Sequence, residues 1–376
     1  MINKAIIQKL RVLYKAALSD FNRDKKSTLD VEIQRMIRAI CINIRNKAPI
    51  RFLMSCIAAK IDKPAIDIRK PYTQIEGDDS FSGRHYDEHI IQEIITQFSL
   101  PCNPTTAYLT PAFRNRNETM TPTLKLEGRP SEIYQYSLDI LDSIYTNKIT
   151  AEKVLIEIYR NLIELRIGNE RRINELISAL KTTEDAQPLS SEQILILLQQ
   201  HISIGNASRL PTLIVAAAYK VVEDLIHETA KTLNSHNAAD KQTGAYGDVE
   251  IYIATEENIV TSYEMKDKRV TNNDIDIAIQ KIAKNNKHID NYIFITTEEI
   301  DSKVEEYARA LYSEIGIEFV ILDCIGFIRH FLHFFHRRRT EFINEYQLLI
   351  LSEPTSSVSQ PLKEAFLALR AAAESY

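Results

Sequence analysis

The stretch from Gly244 to Lys266 constrains this chain more than any other. Residues 248–254 alternate, with Val249, Ile251 and Ile253 on one side and Asp248, Glu250 and Tyr252 on the other. Strict alternation in a β-branched run predicts a half-buried strand. Thr255, Glu256, Glu257 and Asn258 form a polar break of hairpin length. Alternation then resumes over 259–266: Ile259, Thr261, Tyr263 and Met265 point one way, and Val260, Ser262, Glu264 and Lys266 the other. Opposed residues of an antiparallel pair keep a constant index sum, so folding the two runs together brings Asp248 opposite Glu264 or Met265. Glu264 and Lys266 are two apart and share a face. Two carboxylates and one ammonium therefore converge at the open end of the hairpin. Carboxylate oxygens match the ligand preference of magnesium, which keeps several of its waters. A lysine beside them could hold or deprotonate a water aimed at phosphorus. Gly244 and Gly247 bracket the start of the first strand in a chain with only 9 glycines, which points to a close backbone approach. The competing reading is an ordinary amphipathic hairpin with a solvated charged face. The acid's place at the first strand position, rather than the middle, favours the cluster.

Those residues carry a resemblance. Gly247-Asp248, a short strand, a turn and then Glu264-Met265-Lys266 resemble the PD-(D/E)xK nuclease signature, in a relaxed form where tyrosine-glycine replaces proline. The sequel Asp274-Ile-Asp276-Ile-Ala-Ile-Gln280-Lys281 is similar to the helix that follows the motif in many members, often with a glutamine. Within the superfamily the chain looks most like a type II restriction endonuclease of the SacI-like kind, where a Gly-Asp-Val strand precedes a Glu-x-(Lys/Arg) strand. The resemblance implies an α/β (α+β) fold with a restriction-endonuclease-like mixed sheet flanked by helices. It implies that Asp248 and Glu264 hold Mg2+, with Mn2+ as a substitute and the Met265 carbonyl as a further ligand. Lys266 would orient and activate the water. In many relatives a glutamate on the helix before the first strand completes the metal shell, and Glu223 is the candidate.

Composition sets the outer limits. At 376 residues the chain is long enough for a large core and two domains. Hydrophobic content of 44% and charged content of 26% are those of a globular protein. No apolar run approaches about 18 residues, so no membrane span is expected. The amino terminus is too polar for a signal peptide. Cys41, Cys56, Cys102 and Cys324 are scattered without a C-x-x-C pair, which excludes a paired-cysteine zinc site and suits a reducing, prokaryotic cytoplasm. A net charge of −5 argues against nonspecific nucleic-acid binding and leaves room for basic residues concentrated in a cleft.

Taken in order, residues 1–60 read as helices from the 3.6 spacing of Ile6, Leu10, Leu13, Tyr14 and Ala17, then Val31, Ile33, Ile37, Ile40 and Ile44. Residues 61–130 turn irregular, rich in Pro, Thr and polar residues with aromatics interleaved. Long irregular stretches in compact proteins are usually functional or disordered, and aromatics favour order. Arg, Asn, Gln, Thr and Lys are the residues that bond base edges and phosphates. Residues 69–86 and 103–129 are therefore a candidate DNA-facing surface, with Arg69, Lys70, Arg84, His85, Asn103, Arg114, Asn115 and Arg116 as contacts, joined by Lys268 and Gln280 near the hairpin. The alternative is a structural loop packed on the helices. His85 and His89 are spaced i, i+4, but Tyr86 stands where a zinc-protease motif needs glutamate. Residues 131–182 carry three helical patterns.

The polar break Thr182–Glu192, with Pro188, is the candidate boundary between a mostly helical domain, 1–190, and a nuclease core, 191–350. Ser191 is positioned to cap a helix over 192–202. A long apolar helix is predicted from Pro211 to Leu233. After the hairpin come a helix to Lys284, a strand at 292–296, a helix at 301–313, a strand at 318–322 and a helix at 325–348. Strand–helix–strand rhythm with short apolar runs implies parallel neighbours and a mixed sheet. His330, His333 and His336, before Arg337-Arg338-Arg339, are either a phosphate-binding stripe or cations at a helix C-terminus. The tail 351–376 ends in an Ala-rich helix that could pack on a partner subunit.

The function expected is Mg-dependent, sequence-specific hydrolysis of double-stranded DNA. The resemblance adds 5′-phosphate and 3′-hydroxyl products, a C2 homodimer for a palindromic target, and a cognate DNA methyltransferase as a genetic partner. The rivals are a modification-dependent or repair nuclease of the same fold and a non-catalytic DNA-binding protein. No G-x-x-x-x-G-K loop is present, which argues against an ATP-driven translocase.

Overall fold

The computed structural model describes residues 2–43, 46–103, 105–181, 188–205, 207–231, 233, 245–253, 259–285 and 289–375. Gly244 and the turn 255–258 lie outside them. The chain divides into two compact units, Met1–Arg171 and Arg172–Tyr376, against the boundary expected near residue 190.

In the first unit, helices α1 (Ile2–Asn22), α2 (Val31–Ile42) and α3 (Ala48–Asp62) match the expected helical start. Helix α3, APIRFLMSCIAAKID, is apolar all round and so is surrounded by other elements. Its one charged residue in the buried stretch is Arg51, 1% exposed. Arg51 is neutralised by Asp87, 0% exposed. Asp87 opens a π-helical turn, Asp87–Ile91, between α4 (Gly83–Tyr86) and α5 (Gln92–Gln97). The same carboxylate accepts from Thr106 Oγ1 at 2.6 Å and from the Ala107 N–H at 2.7 Å. Arg51 also donates to the Asn103 carbonyl at 2.6 Å. One buried ion pair therefore ties α3, the π turn, Asn103 and Thr106–Ala107 together.

The irregular 61–130 stretch is ordered from within. Tyr72 donates its hydroxyl to the Phe113 carbonyl at 2.6 Å, and Phe113 stacks on Phe52 of α3. At Gly83 a Cβ would lie 1.9 Å from the Tyr108 hydroxyl oxygen, so only glycine lets the chain pass there. Two further helices follow, α6 (Ser131–Tyr145) and α7 (Ala151–Lys181). The second and third helical patterns of 131–182 are thus one helix, which runs through Gly168 without a break. From Arg172 onward α7 goes with the second unit.

The second unit is a five-stranded mixed sheet in the order β1 (Glu228–Ala230), β2 (Val249–Ile253), β3 (Ile259–Lys266), β4 (Asn291–Thr296), β5 (Glu318–Asp323). β1–β2–β3 are antiparallel and β3–β4–β5 parallel. The crossovers are α11 (Asn272–Asn285) and α12 (Ser302–Ile315). Their residues Ile275, Ala278, Ile282, Val304, Ala308 and Leu311 cover one face, against Tyr292, Phe294, Phe319 and Ile321. Val249, Ile251, Tyr263 and Ile295 on the other face meet α8 (Ser191–Ser203), α9 (Leu210–Lys220), α13 (Cys324–Phe334), α14 (Arg339–Ser352) and α15 (Gln360–Glu374).

Three local expectations change. Ser190, not Ser191, caps α8 in a reciprocal box with Gln193, and the Ser191 hydroxyl donates to the Leu332 carbonyl instead. The helix foreseen from Pro211 to Leu233 stops at Lys220. A one-turn α10 (Glu223–Ile226) follows, His227 turns left-handed at φ 58°, and 228–230 become an edge strand on β2. The foreseen 325–348 helix breaks at Phe335 into α13 and α14. Helix α15 buries Leu362, Phe366 and Leu367 in this unit's own core.

His201 on α8 is a buried polar tie in that core. Leu362's carbonyl only accepts, so Nε2 donates to it at 3.0 Å and Nδ1 accepts from the Tyr346 hydroxyl at 3.2 Å. Burial lowers the His201 pKa to about 4.

Asp87→Ala strands the buried guanidinium of Arg51 and should cost about 3–5 kcal/mol in urea unfolding of the first unit; a loss below about 1 kcal/mol would contradict the assignment. The neutral imidazole of His201 is the folded form, and the unfolded chain protonates near pH 6.5. Its stability contribution is therefore complete above about pH 6.5 and drains as pH falls towards about 4, by on the order of 3 kcal/mol. His201→Phe should flatten that acid limb of the second unit's stability profile, and an unchanged limb would refute the role.

Candidate active site

The open end of the β2–β3 hairpin is set by register. Val249 pairs with Tyr263, so one step outward puts Asp248 opposite Glu264, as the constant index sum requires. The Asp248 N–H donates to the Tyr263 carbonyl at 2.7 Å, and Asp248 Oδ2 accepts from the Met265 N–H at 2.8 Å. Gly247 makes the approach possible: a Cβ there would sit 2.5 Å from the Tyr263 carbonyl oxygen and 2.6 Å from Ser262 Oγ. Glu250, buried at 4%, fixes the segment from below. Its carboxylate accepts from the Tyr246 N–H at 2.8 Å and from Lys231 Nζ at 3.1 Å.

Around Asp248 and Glu264 the site is denser in charge than the hairpin alone suggests. Lys266 Nζ lies 3.3 Å from Glu264 Oε1 and 3.2 Å from Asp274 Oδ1. Lys281 Nζ lies 3.6 Å from Glu264 Oε2, and the Tyr292 hydroxyl, which donates to the Tyr246 carbonyl at 2.8 Å, stands 3.2 Å from the same carboxylate oxygen. Burial raises the Glu264 carboxyl above the ordinary glutamate range; Lys281 opposes that shift and the nearby Asp248 charge adds to it. Burial works against the Lys266 charge, but Glu264 and Asp274 outweigh it and hold the ammonium above the usual lysine value. Lys266 is therefore a hydrogen-bond donor in this arrangement, suited to orienting an oxygen and stabilising negative charge.

Among the described residues no group of three or more His, Cys, Asp or Glu side chains is placed to hold a metal ion alone. The donor chemistry still fits a hard cation. Asp248 and Glu264 supply carboxylate oxygens from adjacent strands. Met265 has the parity of Tyr263, whose carbonyl accepts from Asp248, so its own carbonyl points to the same side of β3. Magnesium takes few protein ligands and fills its octahedron with water, which matches this sparse set.

Other candidates lie elsewhere. Glu223 bonds Lys220 Nζ at 2.7 Å and the Thr229 hydroxyl at 3.1 Å. The charges that shift Glu264 are Lys281, Asp248 and Lys266, without Glu223. The early end of α9 is the cause, since it carries Glu223 to the edge of the sheet beside β1. Gln280 is exposed on α11, and its neighbour Lys281 is the residue that turns inward. Lys268 is exposed, and its carbonyl accepts from Thr296 Oγ1 at 3.3 Å.

In the first unit, Arg69 is taken up by Asp67 and Asp142, each at 3.0 Å, and lies over the Tyr145 ring at 3.2 Å. Lys70 pairs with Asp79 at 2.8 Å. The Asp67 and Asp79 pairs hold the 67–81 loop closed, and Asp142 ties Arg69 to α6. Asn103 lends its carbonyl to Arg51, and Arg116 donates to the Ala112 carbonyl at 3.1 Å. Arg84, His85, Arg114 and Asn115 are exposed, with Arg84 salt-bridged to Glu88 at 2.7 Å. On α13, His333 bonds Glu192 at 3.1 Å and His330 stacks near Phe334.

Concavities among the described residues adjoin the sheet of the second unit. One of about 140 Å³ is bordered by Met265, Lys266, Asp267 and Thr297 and by Gly205, Ala207, Ser208 and Pro211. Another, about 500 Å³, is walled by Tyr219, Phe327, Phe331, Phe334 and Phe335 on the α9–α13 side.

The residues missed from sequence are Glu250, Asp274, Lys281 and Tyr292. Asp274 had a legible signal: it stands three after Thr271, the spacing of a capping box ahead of an apolar-periodic helix. Lys281 is two helical turns further along the same face.

Comparison with known families gives one result: residues 187–298 match the family model for the SacI restriction endonuclease C-terminal domain. That span runs from the polar break before α8 through the end of β4 and contains Asp248, Glu264, Lys266, Asp274, Lys281 and Tyr292. No curated protein matches the chain. The likeness of residues 187–298 to a restriction endonuclease domain supports a nuclease, and specifically a restriction endonuclease, as the reading of this chain.

Proposed function

We propose that the chain is a type II restriction endonuclease that hydrolyses double-stranded DNA site-specifically with Mg2+, of the PD-(D/E)xK kind. One observation carries the reading: within the matched span, Asp248, Glu264 and Lys266 converge at one end of the hairpin, the acids opposite each other and the ammonium 3.3 Å from Glu264. Asp248 and Glu264, with the Met265 carbonyl, would hold the cation. When bound, it would supply Lewis-acid neutralisation of charge building on the phosphoryl oxygens.

The chain's own residues do the rest. Lys266 donates to the attacking water or to a nonbridging phosphate oxygen and stabilises the negative charge that develops there. Tyr292 and Lys281 fix Glu264 from its other oxygen. Gly247 keeps β2 close enough for Asp248 to reach across. Products would carry 5′ phosphates and 3′ hydroxyls, and a palindromic target would call for a homodimer. Arg84, His85, Arg114 and Asn115 of the first unit are the exposed candidates for DNA contacts. A cognate methyltransferase would protect host DNA, and Mn2+ would replace Mg2+.

Purified protein should cut unmodified plasmid into discrete fragments with Mg2+, stop on chelation and resume on replenishment. Asp248→Asn, Glu264→Gln and Lys266→Ala should each slow cleavage about 100- to 1000-fold with DNA binding retained. Cleavage of methylated DNA alone would favour a modification-dependent nuclease, and binding without any cleavage a non-catalytic DNA-binding protein. Gly247→Ala forces its new methyl against the Tyr263 carbonyl and shifts Asp248. It should weaken Mn2+ binding in calorimetry about tenfold or more; an unchanged affinity would refute the close-approach role.

A further inference from the structure

Lys266 has a second carboxylate partner that the hairpin does not supply. Asp274 sits at the start of α11, and its Oδ1 lies 3.2 Å from Lys266 Nζ, as close as Glu264 Oε1 at 3.3 Å. Asp274 is itself held. Its Oδ2 accepts from the Thr271 hydroxyl at 2.7 Å and the Thr271 N–H at 3.0 Å, while the Asp274 N–H approaches Thr271 Oγ1 at 3.4 Å. This is a reciprocal helix cap in which one carboxylate oxygen closes the cap and the other is left to face Lys266. A lysine side chain has four rotatable bonds and loses its geometry readily unless its ammonium is tied down. Glu264 cannot serve as that tie and as a cation ligand with equal strength, since a divalent ion draws its oxygens away from the ammonium. Asp274 stands outside the β2–β3 pair and keeps its bond in either case.

We propose that Asp274 is a positioning residue: through the Thr271 cap it fixes the Lys266 ammonium beside Asp248 and Glu264, so that the N-terminus of α11 sets the aim of the lysine. The proposal deepens the nuclease reading and rests on it for its consequence in catalysis. The placement of Lys266 by Asp274 is a separate physical statement that holds or fails by itself. Asp274→Asn keeps size and a cap-capable oxygen but removes the charge. Asp274→Glu keeps the charge and the preferred residue of a capping box, moved outward by one methylene.

The test is competitive acylation of lysines with acetic anhydride, read at Lys266 by mass spectrometry against exposed Lys268 as internal standard, on the full chain without DNA. Lys266 in the unmodified protein should label slowly. Asp274→Asn should raise its relative labelling about fivefold or more, and Asp274→Glu should fall between the two. In parallel, Asp274→Asn should slow single-turnover plasmid cleavage roughly 10- to 100-fold with DNA affinity held. The same substitution in a Lys266→Ala background should add nothing further. Unchanged Lys266 labelling in both variants would overturn the proposal. If Asp274→Asn unfolds α11, the Asp274→Glu arm still decides, because it preserves the cap. If the unmodified protein cuts no DNA, the nuclease reading fails while the labelling result still stands for or against Asp274.

Discussion

The second unit depends on one close contact between backbones. Gly247 lets β2 run against β3 so tightly that the Asp248 N–H meets the Tyr263 carbonyl at 2.7 Å and the Asp248 carboxylate reaches the Met265 N–H at 2.8 Å. Register in a sheet is all or nothing: a slip of one residue would send every side chain to the other face. Here such a slip would bury Asp248 and expose Val249 and Ile251, which are 1% and 0% exposed. The hydrophobic cost of that error keeps the two acids opposed. Glu250, buried and bonded to Tyr246, Lys231 and the sheet, extends the same constraint one step inward.

The site is then finished from the parallel side. β4 brings Tyr292, and the crossover α11 brings Asp274 and Lys281, to the face where Glu264 and Lys266 point. An antiparallel hairpin offers the acids, and a parallel crossover offers the groups that hold them. This division explains why a mixed sheet suits the chemistry: neither half by itself brings two acids, two ammoniums and a phenol together. The first unit is organised on a different tie, the buried pair of Arg51 and Asp87, which pulls an irregular loop onto an otherwise apolar helix.

Much of this was legible because it rests on short-range periodicity. The alternation in 248–253 and 259–266 gave the two strands, and the index sum gave the register to within one residue. Helix limits were less legible. Val221, Val222, Leu225 and Ile226 continue the apolar spacing of α9, so nothing local announces the stop at Lys220. The edge strand 228–230 exists because β2 offers it a partner, a long-range fact. The basic residues of 69–86 read as ligand-facing by type alone. Their acids, Asp67, Asp79 and Asp142, take up Arg69 and Lys70. Two of those acids stand within ten residues, a signal that composition had hidden. Glu223 failed to join the acids because its placement required a helix that does not continue, whereas Asp274 joined them because a Thr-x-x-Asp cap fixed it.

The most direct measurement is the anomalous scattering of manganese in crystals of the protein soaked with that ion. The account predicts a peak within about 2.0–2.3 Å of carboxylate oxygens from both Asp248 and Glu264, with waters completing the shell. A well-occupied manganese bound anywhere else, with those two carboxylates unliganded, would contradict it.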